Sequence, residues 1–185
     1  MITDKLDARK WILPDRTNTD ISSSDIPSVI KDILNVRGIN SINDSQAYLN
    51  PKLNTLSDPF EIPNMDAAVD RVLQAIDKKE SIVIYGDYDV DGATSTALLG
   101  KYFSELDVLY EIYIPDRKTE GYGPSIKGFD ALIKKGIKII FTVDCGTLSF
   151  EAIDFAKKNK IDVIVLDHHQ SKINLPKAFS VVNPN

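Results

Sequence analysis

Apolar residues along the chain follow two alternating patterns, short continuous runs and longer stretches with helical spacing. Continuous runs rich in β-branched residues predict strands at 81–85, 109–114, 138–143, 162–166 and 179–182. Helical spacing between them predicts helices at about 93–105, 125–135 and 149–159. Because the runs are apolar throughout, we expect both faces of the sheet to be covered. The pattern predicts an α/β fold with a doubly wound, mainly parallel five-stranded sheet.

The first third of the chain has a different texture. Prolines interrupt short helical patterns near 24–36 and 45–49, which predicts an N-terminal helical arm over residues 1–64. A helix over about 65–77 then leads into the first strand. We therefore expect two parts, the arm and an α/β domain over residues 65–185.

Composition restricts the class of protein. With 185 residues and 43% apolar side chains, the chain suffices for one compact domain with an appendage. It contains no apolar run long enough to span a bilayer and no secretory signal at its start. Its single cysteine, Cys145, fits a reducing compartment and excludes a cysteine-based zinc cluster. We expect a cytoplasmic protein without a membrane partner, whose metals would be held by oxygen and imidazole ligands.

The net charge of -5 argues at first against a nucleic-acid partner. After residue 64, however, 15 basic residues face 18 acidic ones. If metal ions neutralise Asp87, Asp89, Asp91 and Asp144, only 14 of those acidic residues remain. The acidic balance therefore does not exclude a polyanionic substrate.

Polar clusters follow three of the predicted strands. The stretch "DYDVDG" brings Asp87, Asp89 and Asp91 after the first strand, and Asp144 follows the strand at 138–143. The strand at 162–166 continues into a third cluster, which consists of Asp167, His168 and His169. Ligands of open α/β sheets bind beyond the carboxyl ends of the strands, so we expect one edge to hold these groups.

Close carboxylates repel one another unless cations compensate them. Mixed carboxylate and imidazole ligands suit Mn²⁺, with Mg²⁺ as the alternative, and two such ions could hydrolyse a phosphoester. Gly92 and the helix after it would favour a nearby phosphate. Each motif alone has a plainer interpretation: "DYDVDG" as a capped turn, Asp144 as a strand-end cap, and the histidine pair as a surface turn.

Taken together, the motifs "DYDVDG", "TVDCG" and "LDHH" resemble those of the DHH phosphoesterase superfamily. The stretches "PDRKTEGYG" and "VVNPN" resemble the branch that comprises single-strand-specific DNA exonucleases. The region of Trp11 and the stretch "YLNPKLNTLSDPFEIPNMDAAVDRV" also resemble that branch, so the likeness covers nearly the whole chain.

The resemblance implies roles for individual residues. Asp87 and Asp89 would bind one metal ion, Asp91 and His168 the other, and Asp144 would bridge the two. His169 would lie close to the scissile phosphate, and Asp167 would orient the histidine pair. A further set would shape the nucleotide path, with Arg117 as a phosphate partner; it consists of Arg117, Glu120, Gly121, Tyr122 and Gly123.

The function implied is metal-dependent hydrolysis of single-stranded DNA from the 5′ end to nucleoside 5′-monophosphates, in DNA repair and recombination. A single-strand-binding protein and a helicase would be protein partners. Members of the branch continue past the third motif with another aspartate and further domains, so we expect an N-terminal fragment that is inactive alone. Two alternatives remain open: a phosphodiesterase of oligoribonucleotides or cyclic dinucleotides, and a non-catalytic nucleic-acid-binding scaffold. The first usually has a histidine where this chain has Tyr85.

Overall fold

The computed structural model of the protein describes Ile21 and residues 25–185. The Trp11 region and the first residue of the predicted 24–36 helix lie outside the described residues. The chain forms two compact units, Met1–Ser57 and Asp58–Asn185. No described helix is long and apolar enough to cross a membrane.

The first unit contains two helices and a 3-10 turn in its described part. Helix α1 covers Ser28–Val36, and α2 covers Ile42–Leu49. The side chain of Ser41 accepts a hydrogen bond from the Asp44 N–H at 3.0 Å, so α2 begins at Ile42 rather than at the predicted residue 45. The 3-10 turn is Leu53–Thr55.

The second unit begins earlier than the predicted boundary after residue 64. Its first element is the 3-10 turn Pro59–Glu61, which Asp58 caps by accepting from the Phe60 N–H at 2.9 Å. Asn64 donates to the Val181 carbonyl at 3.0 Å, and its own carbonyl accepts from the Ser180 hydroxyl at 2.9 Å. These hydrogen bonds tie Asn64 to β5, and residues 58–64 belong with the α/β unit.

The sheet has five strands, all parallel, which confirms the predicted fold class. The strands are β1 (Ile82–Tyr85), β2 (Tyr110–Tyr113), β3 (Ile139–Val143), β4 (Asp162–Leu166) and β5 (Ser180–Val182). The helices of this unit are α3 (Met65–Asp77), α4 (Val90–Glu105), α5 (Ile126–Lys134) and α6 (Phe150–Lys158). The strand order β2-β1-β3-β4-β5 makes β1, β3 and β4 direct neighbours.

Successive strand residues point to opposite faces of the sheet and form two apolar layers. Val83 and Tyr85 of β1 pack in one layer with residues of α5 and α6. Ile82 and Ile84 pack in the other layer with residues of α3 and α4. The chain therefore leaves β1 and β3 toward opposite faces, and this reversal opens a crevice at the carboxyl ends of those two strands.

A charged cluster joins α3 to the opposite, amino-terminal edge of the sheet. The Arg71 guanidinium donates to Glu80 at 2.6 Å and to Asp162 at 2.7 Å. The Arg71 side chain is 9% exposed, whereas that of Asp162 is 39% exposed. Burial opposes the charge of Arg71, yet the two carboxylates outweigh it and raise the pKa of the guanidinium.

Replacing Arg71 with alanine should lower the free energy of unfolding by about 2–3 kcal/mol, because Glu80 and Asp162 would lose their shared cation. Urea denaturation measures this change. Lys134→Ala is the matched control, since it removes an exposed ion pair with Asp130 and should cost less than about 0.5 kcal/mol. Equal losses in the two variants would contradict a structural role for the Arg71 cluster.

Candidate metal centre

The loop after β1 is pressed against the first turns of α4. A Cβ atom on Gly86 would lie 2.1 Å from the Thr96 hydroxyl, and one on Gly92 would lie 2.6 Å from the Asp87 carbonyl oxygen. Only residues without a side chain fit these two positions. The close approach packs the beginning of α4 against the backbone of Asp87, which is 1% exposed.

Asp89 caps α4, because its side chain accepts a hydrogen bond from the Gly92 N–H at 2.9 Å. This bond lowers the pKa of Asp89. The helix therefore begins at Val90, three residues before the predicted start at 93, and it includes Asp91 and Gly92. Because the Gly92 N–H donates to Asp89 in this structure, it is not available to a phosphate at the same time.

Asp144 follows β3 in a left-handed backbone conformation, with φ at 60°. This conformation is uncommon outside glycine and is held by the Asp144 N–H, which donates to the Leu166 carbonyl at 2.9 Å. The side chain is 4% exposed, and its Oδ1 lies 3.0 Å from Nε2 of His168. Burial, and then the negative charge of Asp89, raise the pKa of Asp144.

Asp167 follows β4 and has nearly all of its acceptor capacity in use. It accepts from the N–H groups of Thr147, His168 and His169 at 2.8–3.1 Å. Its Oδ1 also lies 2.7 Å from Nδ1 of His169. Burial acts to raise the pKa of Asp167, but these hydrogen bonds lower it overall, and in turn Asp167 raises the pKa of His169.

Two groups of ligand atoms result, each with its atoms within 4.8 Å of one another. One consists of Asp87, Asp89 and Asp144, and the other of Asp144, His168 and His169. Asp144 is common to both. Within the described part of the chain, Asp91 belongs to neither group, although it lines the same crevice. His169, expected near the phosphate, is grouped with His168 as a possible ligand.

Two side chains of the glycine-flanked stretch contact residues of the three loops that carry the acidic groups and histidines. The Arg117 guanidinium lies 5.1 Å from the ring centroid of Tyr88, which stands between Asp87 and Asp89. The Tyr122 hydroxyl donates to the Asp144 carbonyl at 3.2 Å, and its ring meets that of His169 edge to face.

The other three predicted residues of this stretch have structural roles in the described contacts. Glu120 accepts from the Tyr113 hydroxyl at 2.6 Å and from the Asp116 N–H at 3.1 Å, so its carboxylate closes the loop. The Gly123 carbonyl accepts from the Tyr85 hydroxyl at 3.1 Å. Gly121 and Gly123 have φ angles of 82° and 73°, which explains why the turn uses glycine there.

Two asparagines to which the motifs gave no role, Asn183 and Asn185, form hydrogen bonds with the loop that carries the histidines. The Asn183 amide donates to the Thr147 hydroxyl at 2.9 Å and to the His169 carbonyl at 3.0 Å. Asn185 donates to the His168 carbonyl. The stretch "VVNPN" was the sequence signal for these asparagines, but only the contacts assign them this support. Tyr88 was missed because a tyrosine between aspartates has no characteristic pattern.

The fold and the site define an α/β domain with a carboxylate and histidine centre at the carboxyl edge of its sheet. Comparison with known proteins identifies the family: the model described as the DHH family, N-terminal domain, matches residues 81–185, and the chain belongs to this family.

Similar curated proteins include single-stranded-DNA-specific exonucleases. The chain is 38% identical over 159 residues to the single-stranded-DNA-specific exonuclease RecJ of Bacillus subtilis. The aligned region covers 86% of this chain and 20% of that protein. The chain is 40% identical over 144 residues to the RecJ of Haemophilus influenzae, covering 74% of this chain and 24% of that one. The chain thus spans about a quarter or less of the length of these relatives.

Two solved structures are also similar. One is a crystal structure of exonuclease RecJ bound to manganese, with a TM-score of 0.64 and 29% sequence identity. The matched region covers 70% of this chain and 33% of the chain in that structure. The structure of RecJ with Mn²⁺ from Thermus thermophilus matches 82% of this chain and 20% of its own, with a TM-score of 0.61 and 25% identity.

Gly92→Ala tests the close packing of α4 against Asp87, because alanine favours the helix but its Cβ would collide with the Asp87 carbonyl oxygen. Propensity alone would stabilise α4 by about 1 kcal/mol, whereas the 2.6 Å contact should reverse the sign and destabilise the protein by about 1–3 kcal/mol. Urea denaturation gives the sign directly. Ala93→Gly, at the next position of the same helical turn, measures the local propensity effect. A more stable Gly92→Ala protein would contradict the packing argument.

Proposed function

We propose that the chain forms the metal-binding half of a two-metal phosphodiesterase that hydrolyses single-stranded DNA from the 5′ end to nucleoside 5′-monophosphates, in DNA repair and recombination. The observation that carries the proposal is the position of Asp144, whose carboxylate belongs to both groups of ligand atoms. A carboxylate shared by both groups could contact two divalent cations at the spacing of about 3.5–4 Å that two-metal sites have.

The residues fit a metal site by two independent features. Oδ1 of Asp87 is buried without a hydrogen-bond partner among the described residues, although buried carboxylate oxygens are ordinarily paired. Burial, and then the charge of nearby Asp89, raise the pKa of Asp144. A divalent cation would satisfy the unpaired oxygen and remove the repulsion. Carboxylates with imidazole suit Mn²⁺, with Mg²⁺ as the alternative, and two RecJ structures similar to this chain hold manganese.

Asp87 and Asp89 would bind one ion, Asp144 would bind both, and His168 would bind the second. Asp91 lines the crevice from α4 and would serve the second ion through a small movement or a water molecule. When bound, the ions would supply charge stabilisation for the phosphate and lower the pKa of a bound water.

The remaining side chains would orient the substrate. Asp167 holds the His169 ring through Nδ1 and raises its pKa, which favours the imidazolium form beside the scissile phosphate. Arg117 would bind a phosphate of the strand, and Tyr88 beneath it would limit its freedom. Gly92 would act through packing, by keeping α4 against Asp87.

We propose this activity for the whole protein, because the chain spans about a quarter or less of the length of its exonuclease relatives. We further propose a cytoplasmic location, with single-strand-binding protein and a helicase as partners. An oligoribonucleotide or cyclic-dinucleotide phosphodiesterase is disfavoured, because Tyr85 is fully buried beneath the edge and offers no ligand. A non-catalytic scaffold would not need an intact set of acidic ligands.

Asp144→Ala in the full-length protein should lower metal-dependent exonuclease activity by about a thousandfold or more, because both ions would lose a ligand. Release of mononucleotides from a 5′-labelled single strand measures the activity. Asp154→Ala, an exposed aspartate on α6, is the control and should retain full activity. Unchanged activity in Asp144→Ala would refute the proposed centre.

A further inference from the structure

A groove of about 570 Å³ opens beside the metal centre, between the loop at Tyr122 and the beginnings of α5 and α6. Its volume lies in the range of sites that hold small organic groups. The residues that matter most for its chemistry are Tyr122, Ile126, Leu148, Phe150 and Glu151.

The groove gathers apolar side chains that are open to solvent. Tyr122 is 56% exposed, Leu148 is 51% exposed and Ile126 is 45% exposed. Single exposed apolar residues are ordinary, but three that converge on one concave surface indicate a binding site. The half-buried Phe150 ring forms a further wall.

Charges at the groove distinguish between possible occupants. The Lys172 ammonium lies 5.9 Å from the centroid of the Phe150 ring, so a cation stands at this aromatic wall. Glu151, in the first turn of α6, places a carboxylate on the lining. The carboxylate would repel a phosphate inside the groove but not an uncharged ring, whereas Lys172 could attract a phosphate that passes outside.

Tyr122 joins the groove to the metal centre. One side of this residue lines the groove, while its hydroxyl donates to the Asp144 carbonyl at 3.2 Å. Its ring centroid is also 6.1 Å from that of His169. A group bound in the groove would therefore be separated from Asp144 and His169 by the side chain of Tyr122.

We propose that this groove binds a nucleobase of the single strand, close to the bond that is cleaved. The proposal rests on the proposed function and adds a base-binding subsite formed by Leu148, Phe150 and Ile126. Aromatic and apolar walls with a nearby cation form the surface on which unpaired bases stack regardless of sequence. A base in a duplex is already stacked and paired, so the groove would also favour single strands over double strands.

Abasic substitution in a short oligonucleotide tests the subsite in the full-length protein. Each of the first few nucleotides from the 5′ end is replaced in turn, and affinity is measured by fluorescence anisotropy with a chelator present to prevent cleavage. In the unmodified protein, one abasic position should weaken binding about five- to tenfold. In Leu148→Ser the intact oligonucleotide should bind about as weakly as that abasic one, and the abasic substitution should cost nothing further.

Leu109→Ser is the matched control, because Leu109 is 89% exposed and lies outside the groove. It should keep the full sensitivity to the abasic position. The subsite is refuted if no abasic position weakens binding, or if the same position costs as much in Leu148→Ser as in the unmodified protein. Absence of metal-dependent cleavage by the unmodified protein would instead overturn the proposed function, so the two failures are distinguishable.

Discussion

Repulsion between carboxylates at the carboxyl edge of the sheet is the constraint on which the site depends. Asp87 and Asp144 are both nearly inaccessible to solvent, and Asp89 lies within reach of each. Water screens the charges of Asp87 and Asp144 only weakly at this degree of burial, whereas Asp89 is exposed. Burial, and then the charge of Asp89, raise the pKa of Asp144, and a cation would both offset that charge and pair with the Asp87 oxygen that has no partner among the described residues.

The fold maintains that arrangement through strand order and close backbone packing. Because β1, β3 and β4 are neighbours, the three loops that carry the acidic groups and histidines emerge side by side. Gly86 and Gly92 let α4 approach the loop after β1, and the hydrogen bond between Asp144 and Leu166 fixes the turn after β3. The same edge holds Tyr122, which connects the metal centre to the apolar groove.

The sheet was predictable from sequence because fully buried strands leave continuous apolar runs, and the 162–166 strand agrees with the structure at both ends. The start of α4 was not predictable in the same way. The aspartates of "DYDVDG" predict a loop, whereas in the structure Asp89 caps a helix that already includes Asp91. The two units of the structure divide after Ser57 rather than after residue 64, and the hydrogen bonds of Asn64 were not predictable because they join residues far apart in sequence.

In the candidate site, too, the features set by local sequence were predictable, whereas the contacts between residues distant in sequence were not. Position at a strand end was enough to gather Asp87, Asp144 and His168, since parallel strands share an edge. It was not enough to separate the two functions of Asp89, as cap and as possible ligand. Nor could it show that Glu120 closes its own loop, or that Asn183 holds Thr147 and His169, because those contacts depend on how loops pack.

The central claim is that Asp144 lies between two metal ions. An anomalous-difference map from crystals of the full-length protein grown with Mn²⁺ tests it most directly. We expect two peaks about 3.5–4 Å apart, both in contact with the Asp144 carboxylate. One peak should lie on the side of Asp87 and Asp89, and the other on the side of His168. A map with a single peak, or with peaks that do not contact Asp144, would contradict the account.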